Sequence, residues 1–257
     1  MEECTLSMGI DDPFTFSCTP EVSCFNECCH DLNQFLSPYD VVRLKNALKL
    51  PSWEFLDRYT ALHTGPESGL PVVTPQYKPG TELECPFLTP SGCSVYDDRP
   101  GACRAYPIAR AIKRSRETGV ITEYFMLITE PHCQGHGRGK TQTVRDWMAA
   151  QGLLPYNRMN DPLMEIISLK NRLHPGPLDR NSRKLFYLAC YDIDAFRKEI
   201  FENGLADDLN PIPAILQQIE KSDPALLLFG YAWIKLKLFG LHTDEGQLAQ
   251  TLRELSI

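Results

Sequence analysis

The sequence predicts an α+β protein, mainly helical: an irregular cysteine-rich half with a short two-stranded element, then a helical C-terminal region. Three observations lead there. Eight of the ten cysteines lie between Cys18 and Cys133. The stretch 64–107 is dense in Pro and Gly and reads as loops. From Asp161 onward apolar residues recur at helical spacing. The change of style divides the chain into a cysteine-cluster domain, 1–155, and a helical extension, 156–257, expected to pack on it.

Residues 1–17 read as a loose lead-in and 18–30 as a first cysteine nest. A helix start follows. Ser37 can cap free backbone N–H groups, Pro38 suits the first turn, and Asp40 favours the positive end of the dipole. Leu36 and Val41 are spaced for a hydrophobic staple. This helix should run to about Leu48, stopping before Pro51. A second is expected from Trp53 to Leu62, with Gly65 beyond it. Ile108–Lys113 and Glu123–Thr129 have strand composition, joined by a turn around Glu117–Gly119. Pro131-His132-Cys133 ends the second strand, and Gln134–Lys140 reads as a Gly-rich turn. Thr143 then caps a helix over Val144–Gln151, ended by Gly152. The remaining helices are expected at Pro162–Leu173, Asp192–Asn203, Pro211–Lys221, Pro224–Phe239 and Asp244–Leu255, with an irregular break over His174–Asn181. Leu226, Phe229, Trp233 and Leu236 share helical spacing and read as core.

A chain of 257 residues, 43% of them hydrophobic, can bury a core without help. A net charge of −7 argues against nonspecific nucleic-acid binding. No membrane span is expected: the most apolar run, Pro224–Leu241, is interrupted by Lys235 and Lys237 and reads as a buried helix. The N-terminus lacks the pattern of a secretory signal, which places the protein in the cytoplasm. There thiols stay reduced, and clustered cysteines act as ligands or redox groups; an oxidising compartment would instead allow five disulfides. Residues 1–42 carry eight acids and no Lys or Arg, while Arg104–Arg116 carries five bases and no acid. The two stretches read as complementary halves of one unit, or as two solvated faces.

The candidate metal ligands are Cys18, Cys24, Cys28, Cys29, Cys85, Cys93, Cys103 and Cys133. Thiolates suit zinc and iron–sulfur clusters, because both are soft enough to prefer sulfur. No C-x2-C pair occurs, and its absence tilts the reading from the zinc knuckle toward iron–sulfur, with 4Fe-4S and zinc both kept. Adjacent Cys28 and Cys29 would point apart in an extended backbone and so serve two metals, or two irons of one cluster, more easily than one tetrahedral ion. Eight ligands could make two four-ligand sites, or one site plus a redox-active position. His30, His132 and His136 lie near enough to replace a thiolate, but exposed polar positions explain them more simply. Arg99 and Arg104 flank Cys103 and are assigned to the site, as charge compensation for thiolates or as binders of an anionic cofactor or substrate. A surface ion pair with Asp97 or Asp98 is the plainer alternative. Cys4 and Cys190 are read as spare thiols.

Phe16-x-Cys18 leading to Cys24-x3-Cys28-Cys29, followed by Cys85-Pro86-Phe87-Leu88, Gly92-Cys93-Ser94-Val95-Tyr96, Arg99-Pro100-x2-Cys103-Arg104-x-Tyr106-Pro107 and Cys133-x-Gly135, resembles the bacterial YkgJ-type CxxCxxCC cysteine-cluster family. The likeness covers residues 16–150. It implies a zinc- or iron-chelating domain. A flagellin lysine N-methylase with a similar motif is associated with an iron–sulfur cluster. The helical tail around Tyr191-Asp192-x-Asp194-x-Phe196-Arg197 resembles an extension seen in some members. The family's opening is C-x2-C-x2-CC, whereas here the gaps are five and three, so Cys18 is the least secure ligand.

The expectation is therefore a Cys-ligated centre, first an iron–sulfur cluster used in electron transfer or metal-dependent modification, with an unidentified protein or redox partner. Two alternatives stand beside it. One is a zinc-stabilised interaction module without catalysis. The other is a protein-modifying enzyme like the flagellin methylase. The residues assign no reaction.

Overall fold

The computed structural model describes residues 4–30, 34–81, 83–115, 117–118, 120–205, 207–209 and 211–254. In chain order the elements are β1 (Cys4–Met8), β2 (Pro13–Phe16), α1 (Pro38–Ala47), α2 (Ser52–Tyr59), β3 (Thr60–Thr64), β4 (Pro71–Pro75), β5 (Leu88–Thr89), β6 (Gly92–Cys93), α3 (Gly101–Ala105), β7 (Ile108–Arg114), β8 (Ile121–Thr129), β9 (His136–Thr143), α4 (Val144–Ala150), α5 (Leu154–Leu173), α6 (Arg180–Cys190), α7 (Ile193–Asn203), α8 (Pro213–Lys221), α9 (Asp223–Phe239) and α10 (Glu245–Glu254). Helices dominate and all sheets are small and antiparallel, which is an α+β fold.

Two compact units form. One contains residues 1–34 and 77–157, the other 35–76 and 158–257. Residues 35–76, read from the sequence as part of a 1–155 domain, thus cluster with the C-terminal helices. The cause is local: α1 and α2 bury Val41, Leu44 and Phe55, and they pack on α9 and α7.

The cysteine unit is built on β1-β8-β7, with smaller pairs β2-β9 and β5-β6. The expected two-stranded element is the β7–β8 part of that sheet. The N-terminal residues are not the loose lead-in expected: β1 pairs β8 from Cys4↔Thr129 to Met8↔Phe125, and β2 pairs β9. The small core that results joins Met8, Phe14, Phe16, Ile108, Phe125 and Val144. The expected Gly-rich turn is a bulge within β9. Thr15 faces Thr141 but Phe16 faces His136, so residues 137–140 leave the ladder. Helix α4 starts as predicted, with Thr143 and Asp146 forming a reciprocal capping box. The stretch 64–107 is less irregular than expected, since it includes β4, β5, β6 and α3.

In the helical unit, Ser37 caps α1 as predicted, and Asp40 reaches back to the Ser37 amide to complete a capping box. Helix α2 ends at Tyr59, three residues early, because Thr60–Thr64 pairs with β4. Helix α5 starts at Leu154 rather than Pro162. Burial of Tyr156, Met159, Leu163 and Ile166 along one stripe outweighs the proline inside it. Helix α6 has no counterpart among the expected helices. Asp179 caps it, and its buried side, Phe186, Ala189 and Cys190, lies on α9. Helix α8 starts at Pro213, two residues later than expected. Helix α9 matches its predicted span to within a residue. It is buried from Ala225 to Ile234 on every side, as a central helix must be. The last expected helix is found over Glu245–Glu254; Leu255 lies outside the described residues. Beside α9, Lys45 is 4% exposed and pairs with Asp223 at 2.9 Å and Asp194 at 3.3 Å. Arg197 also bonds both carboxylates. Ser52 and Asp194 cap each other's helices, through Ser52 N–H to Asp194 at 2.7 Å and Asp194 N–H to Ser52 Oγ at 3.0 Å. The tail motif from Tyr191 to Arg197 is thus a structural clamp. No helix among the described residues is long and apolar enough to cross a membrane.

Candidate metal centre

All eight predicted ligands fall in the cysteine unit, and none is in a disulfide. Cys18 stands two residues after β2, and Cys133 three residues before β9. The amide of Ser17 donates to the Gly135 carbonyl at 3.1 Å, which draws the two segments together. Gly135 permits that approach: a Cβ there would meet the Ser17 carbonyl oxygen at 2.6 Å and the Phe16 ring at 2.7 Å. Cys24 accepts the Gln134 amide at 3.1 Å. Cys18, Cys24, Cys28 and Cys133 line one small cavity of about 30 Å³, with Tyr106 and His132 at its wall.

Cys28 and Cys29 end a short 3-10 turn, Glu27–Cys29. There, not in the extended chain expected, successive side chains still diverge, at three residues per turn. The carbonyl of Cys29 accepts the Cys85 amide at 2.8 Å, and His30 bridges to Glu84. The β5–β6 hairpin sets Cys93 across from Leu88. The Leu88 amide donates to the Cys85 carbonyl at 3.1 Å, and the nearby backbone at Phe87 and Leu88 favours the Cys85 thiolate, as that at Val95 favours the Cys93 thiolate. Such amides stabilise thiolates and tune metal-bound sulfur. Gln34 donates through Nε2 to the Cys103 sulfur at 3.2 Å.

Desolvation, then negative charge on Cys28, Cys24 and Cys133, pushes Cys18 up to about 11. A hydrogen bond from the Cys29 thiol brings Cys28 down to about 7, and Cys29, as its donor, is pushed up. Burial raises Cys85 and Cys93. Among the described residues, no three His, Cys, Asp or Glu side chains converge closely enough to hold a single ion. The sulfurs are gathered without being closed on one point.

The donor set nevertheless fits a soft metal. Sulfur predominates, an amide and a side-chain N–H face it at Cys24 and Cys103, and burial together with the neighbouring Cys133 and Glu130 pushes the Tyr106 phenol up. Of the histidines, His132 stands at the cavity wall, 3.7 Å from Glu130. His30 is exposed, and His136 packs edge-on against Phe16.

Arg99 is 9% exposed, stacks over Tyr96 at 3.8 Å and donates to the Tyr96 carbonyl and the Gln151 side chain. Burial holds its pKa below the ordinary value, while the nearby Tyr96, Cys103 and Cys93 groups favour its charge. Arg104 donates to the backbone carbonyls of Gln151 and Asp97, and its Nε is left unpaired among the described residues. Both guanidiniums tie the Cys103 segment down, and Arg99 also faces the thiols. The contacts from Gln34 and Gln134 carried no sequence signal. Tyr106 stood in the quoted motif without a role.

Residues 17–134 match a family model, CxxCxxCC, described as "Putative zinc- or iron-chelating domain". The match is a likeness of this segment to that domain. It spans a little under half of the chain and includes all eight predicted ligands. No curated protein and no solved structure matches the chain.

Proposed function

We propose that the CxxCxxCC segment holds a thiolate-ligated iron–sulfur centre that serves electron transfer. The observation that carries this reading is the gathering of eight thiols in one unit, with amide and side-chain N–H donors aimed at their sulfurs. A cavity of about 30 Å³ is far below the size of an organic substrate pocket. That favours a redox centre over substrate chemistry at the cysteines. A lone zinc ion asks for sulfurs about 2.3 Å from one point. A cluster, with several irons and sulfides between its thiolates, suits the wider ring better. When bound, the group would supply one-electron chemistry. The chain supplies ligands, the positive charge of Arg99, and N–H donors that stabilise the reduced state.

Anaerobic purification, a visible spectrum and elemental analysis test this. The expected result is a brown protein with matching iron and sulfide. A colourless protein with stoichiometric zinc would overturn the iron assignment, and absence of both metals would overturn metal binding itself.

A further inference from the structure

The helical unit carries a cavity that the metal reading does not use. We propose that it is a docking site for an exposed arginine of a protein partner. Trp53 and the carboxylates of Asp57 and Asp192 receive the guanidinium, and Leu56 and Leu62 receive the apolar residues beside it. All of these residues belong to the helical unit, so the site stands whether or not the cysteines bind metal.

The cavity measures about 380 Å³. That lies within the size range of binding pockets, roughly 300–1,000 Å³. Helix α2 supplies Trp53, Leu56 and Asp57, which fall at i, i+3 and i+4 and so share a face. The helix buries Phe55 and Leu56 but leaves Trp53 61% exposed. Leu62, in β3, also lines the cavity and is 58% exposed. Tyr187 of α6 and Asp192, the residue before α7, complete it. Ser52 Oγ donates to one oxygen of Asp192 at 2.6 Å, which fixes that carboxylate. The other oxygen of Asp192, and the whole Asp57 carboxylate, receive no hydrogen bond or ion pair from the described residues.

No lysine or arginine lines the cavity. Arg58, next in sequence to Asp57, is taken by Glu54 at 2.6 Å. Two uncompensated carboxylates beside an indole favour a cation. A bare metal ion does not fit, because among the described residues no three His, Cys, Asp or Glu side chains are grouped to hold one. A guanidinium fits better than an ammonium, since it is planar, stacks on aromatic faces and offers paired N–H groups to carboxylates. The exposed rim identifies its carrier. A free cation would leave Trp53 and Leu62 in water, whereas apolar residues flanking an arginine on a protein surface would cover them. Tryptophan and arginine are among the side chains that anchor such interfaces. The net charge of −7 also steers a basic partner toward this chain.

The probe is a blocked pentapeptide, with arginine at its centre and leucine on either side, titrated into the full-length protein. The indole N–H resonance of Trp53, recognised as the one lost in Trp53→Phe, reports binding. It should shift saturably with a dissociation constant of about 1–10 mM, while those of Trp147 and the buried Trp233 stay in place. The same peptide with glutamine for arginine should leave it unmoved. Asp57→Asn should weaken binding about two- to fivefold. Trp53→Ala, followed through the backbone amides of β3, should weaken it by a similar factor, about two- to fivefold. Both positions are exposed, so the variants should fold, which circular dichroism checks. No shift at about 10 mM peptide overturns the proposal. So does an equal shift with the glutamine peptide, or wild-type affinity in Asp57→Asn. A lysine peptide that binds as tightly overturns the choice of arginine. Arginine amide alone binding as tightly as the pentapeptide overturns the protein partner and makes this a site for a small cation.

Discussion

The helical unit and the cysteine unit solve the same problem by different means. In the helical unit, α9 is buried on all sides and a shielded ion network pins α1, α2 and α7 around it. The cysteine unit has one small apolar cluster under a three-stranded sheet, and much of the rest is turns. A chain that can bury a full helix needs no staple. Loops carrying thiols do, because they bury too little apolar surface to offset the entropy of ordering. The contrast assigns stability to one half and chemistry to the other.

Metal removal should break the contrast most severely. Anaerobic chelation, Cys93→Ser or Cys103→Ser should abolish amide-exchange protection over residues 85–133 and leave α9 protected. At thiolate sites, binding free energy is folding free energy, on the order of ten kcal/mol. Equal loss of protection in α9 would mean that the units do not differ in this way.

The reverse experiment empties the helical core. Trp233→Ala deletes a fully buried ring and should cost about 3–5 kcal/mol in denaturant melts, with metal per folded chain unchanged. Asp223→Asn, which breaks a buried ion network, should cost about 3 kcal/mol. Its pH dependence is a sharper check. Burial alone would raise the Asp223 pKa, but hydrogen bonds from Arg197 and Lys45 bring it below its ordinary 3.8. A carboxylate lowered on folding gives stability that is complete above its unfolded value and fades as pH falls through the folded one. The gap between wild type and Asp223→Asn should therefore close below about pH 4. A gap that stays constant with acid would remove the role of that charge.

The smallest effects come from the two capping boxes, one in each unit. Ser37→Ala should cost about 1 kcal/mol whether or not metal is present. Thr143→Ala should lower the melting temperature only after chelation, if metal dominates the cysteine unit. A shift of equal size with metal bound would show that α4 shares in holding that unit.

What the sequence revealed follows the range of the interactions involved. The caps Ser37 and Thr143 were readable because their chemistry spans four residues. Helix α9 was readable from an apolar run that only Lys235 and Lys237 interrupt. β1, β2 and the paired form of β9 were missed because their partners are remote: Thr15 bonds Thr141 across 126 positions, and nothing local in Ser17 or Gly135 announces that contact. Helix α6 was missed because its start is polar and its buried stripe depends on α9. The ligand candidates could be named from their residue type and spacing. Which of them neighbour which could not, because a hairpin, a bulged ladder and a 3-10 turn decide that in three dimensions.

The bulged ladder between β2 and β9 also imposes a schedule on synthesis. Cys24 receives its amide from a residue 110 positions later. A chain leaving the ribosome therefore shows Cys18, Cys24 and Cys28 to the cell well before the strand that frames them has been made. During that interval they are exposed to oxidants and to any passing soft ion. Under the proposed metal reading, the cavity around these thiols is complete only once β9 has been made, which makes the order of synthesis part of the specificity of the site.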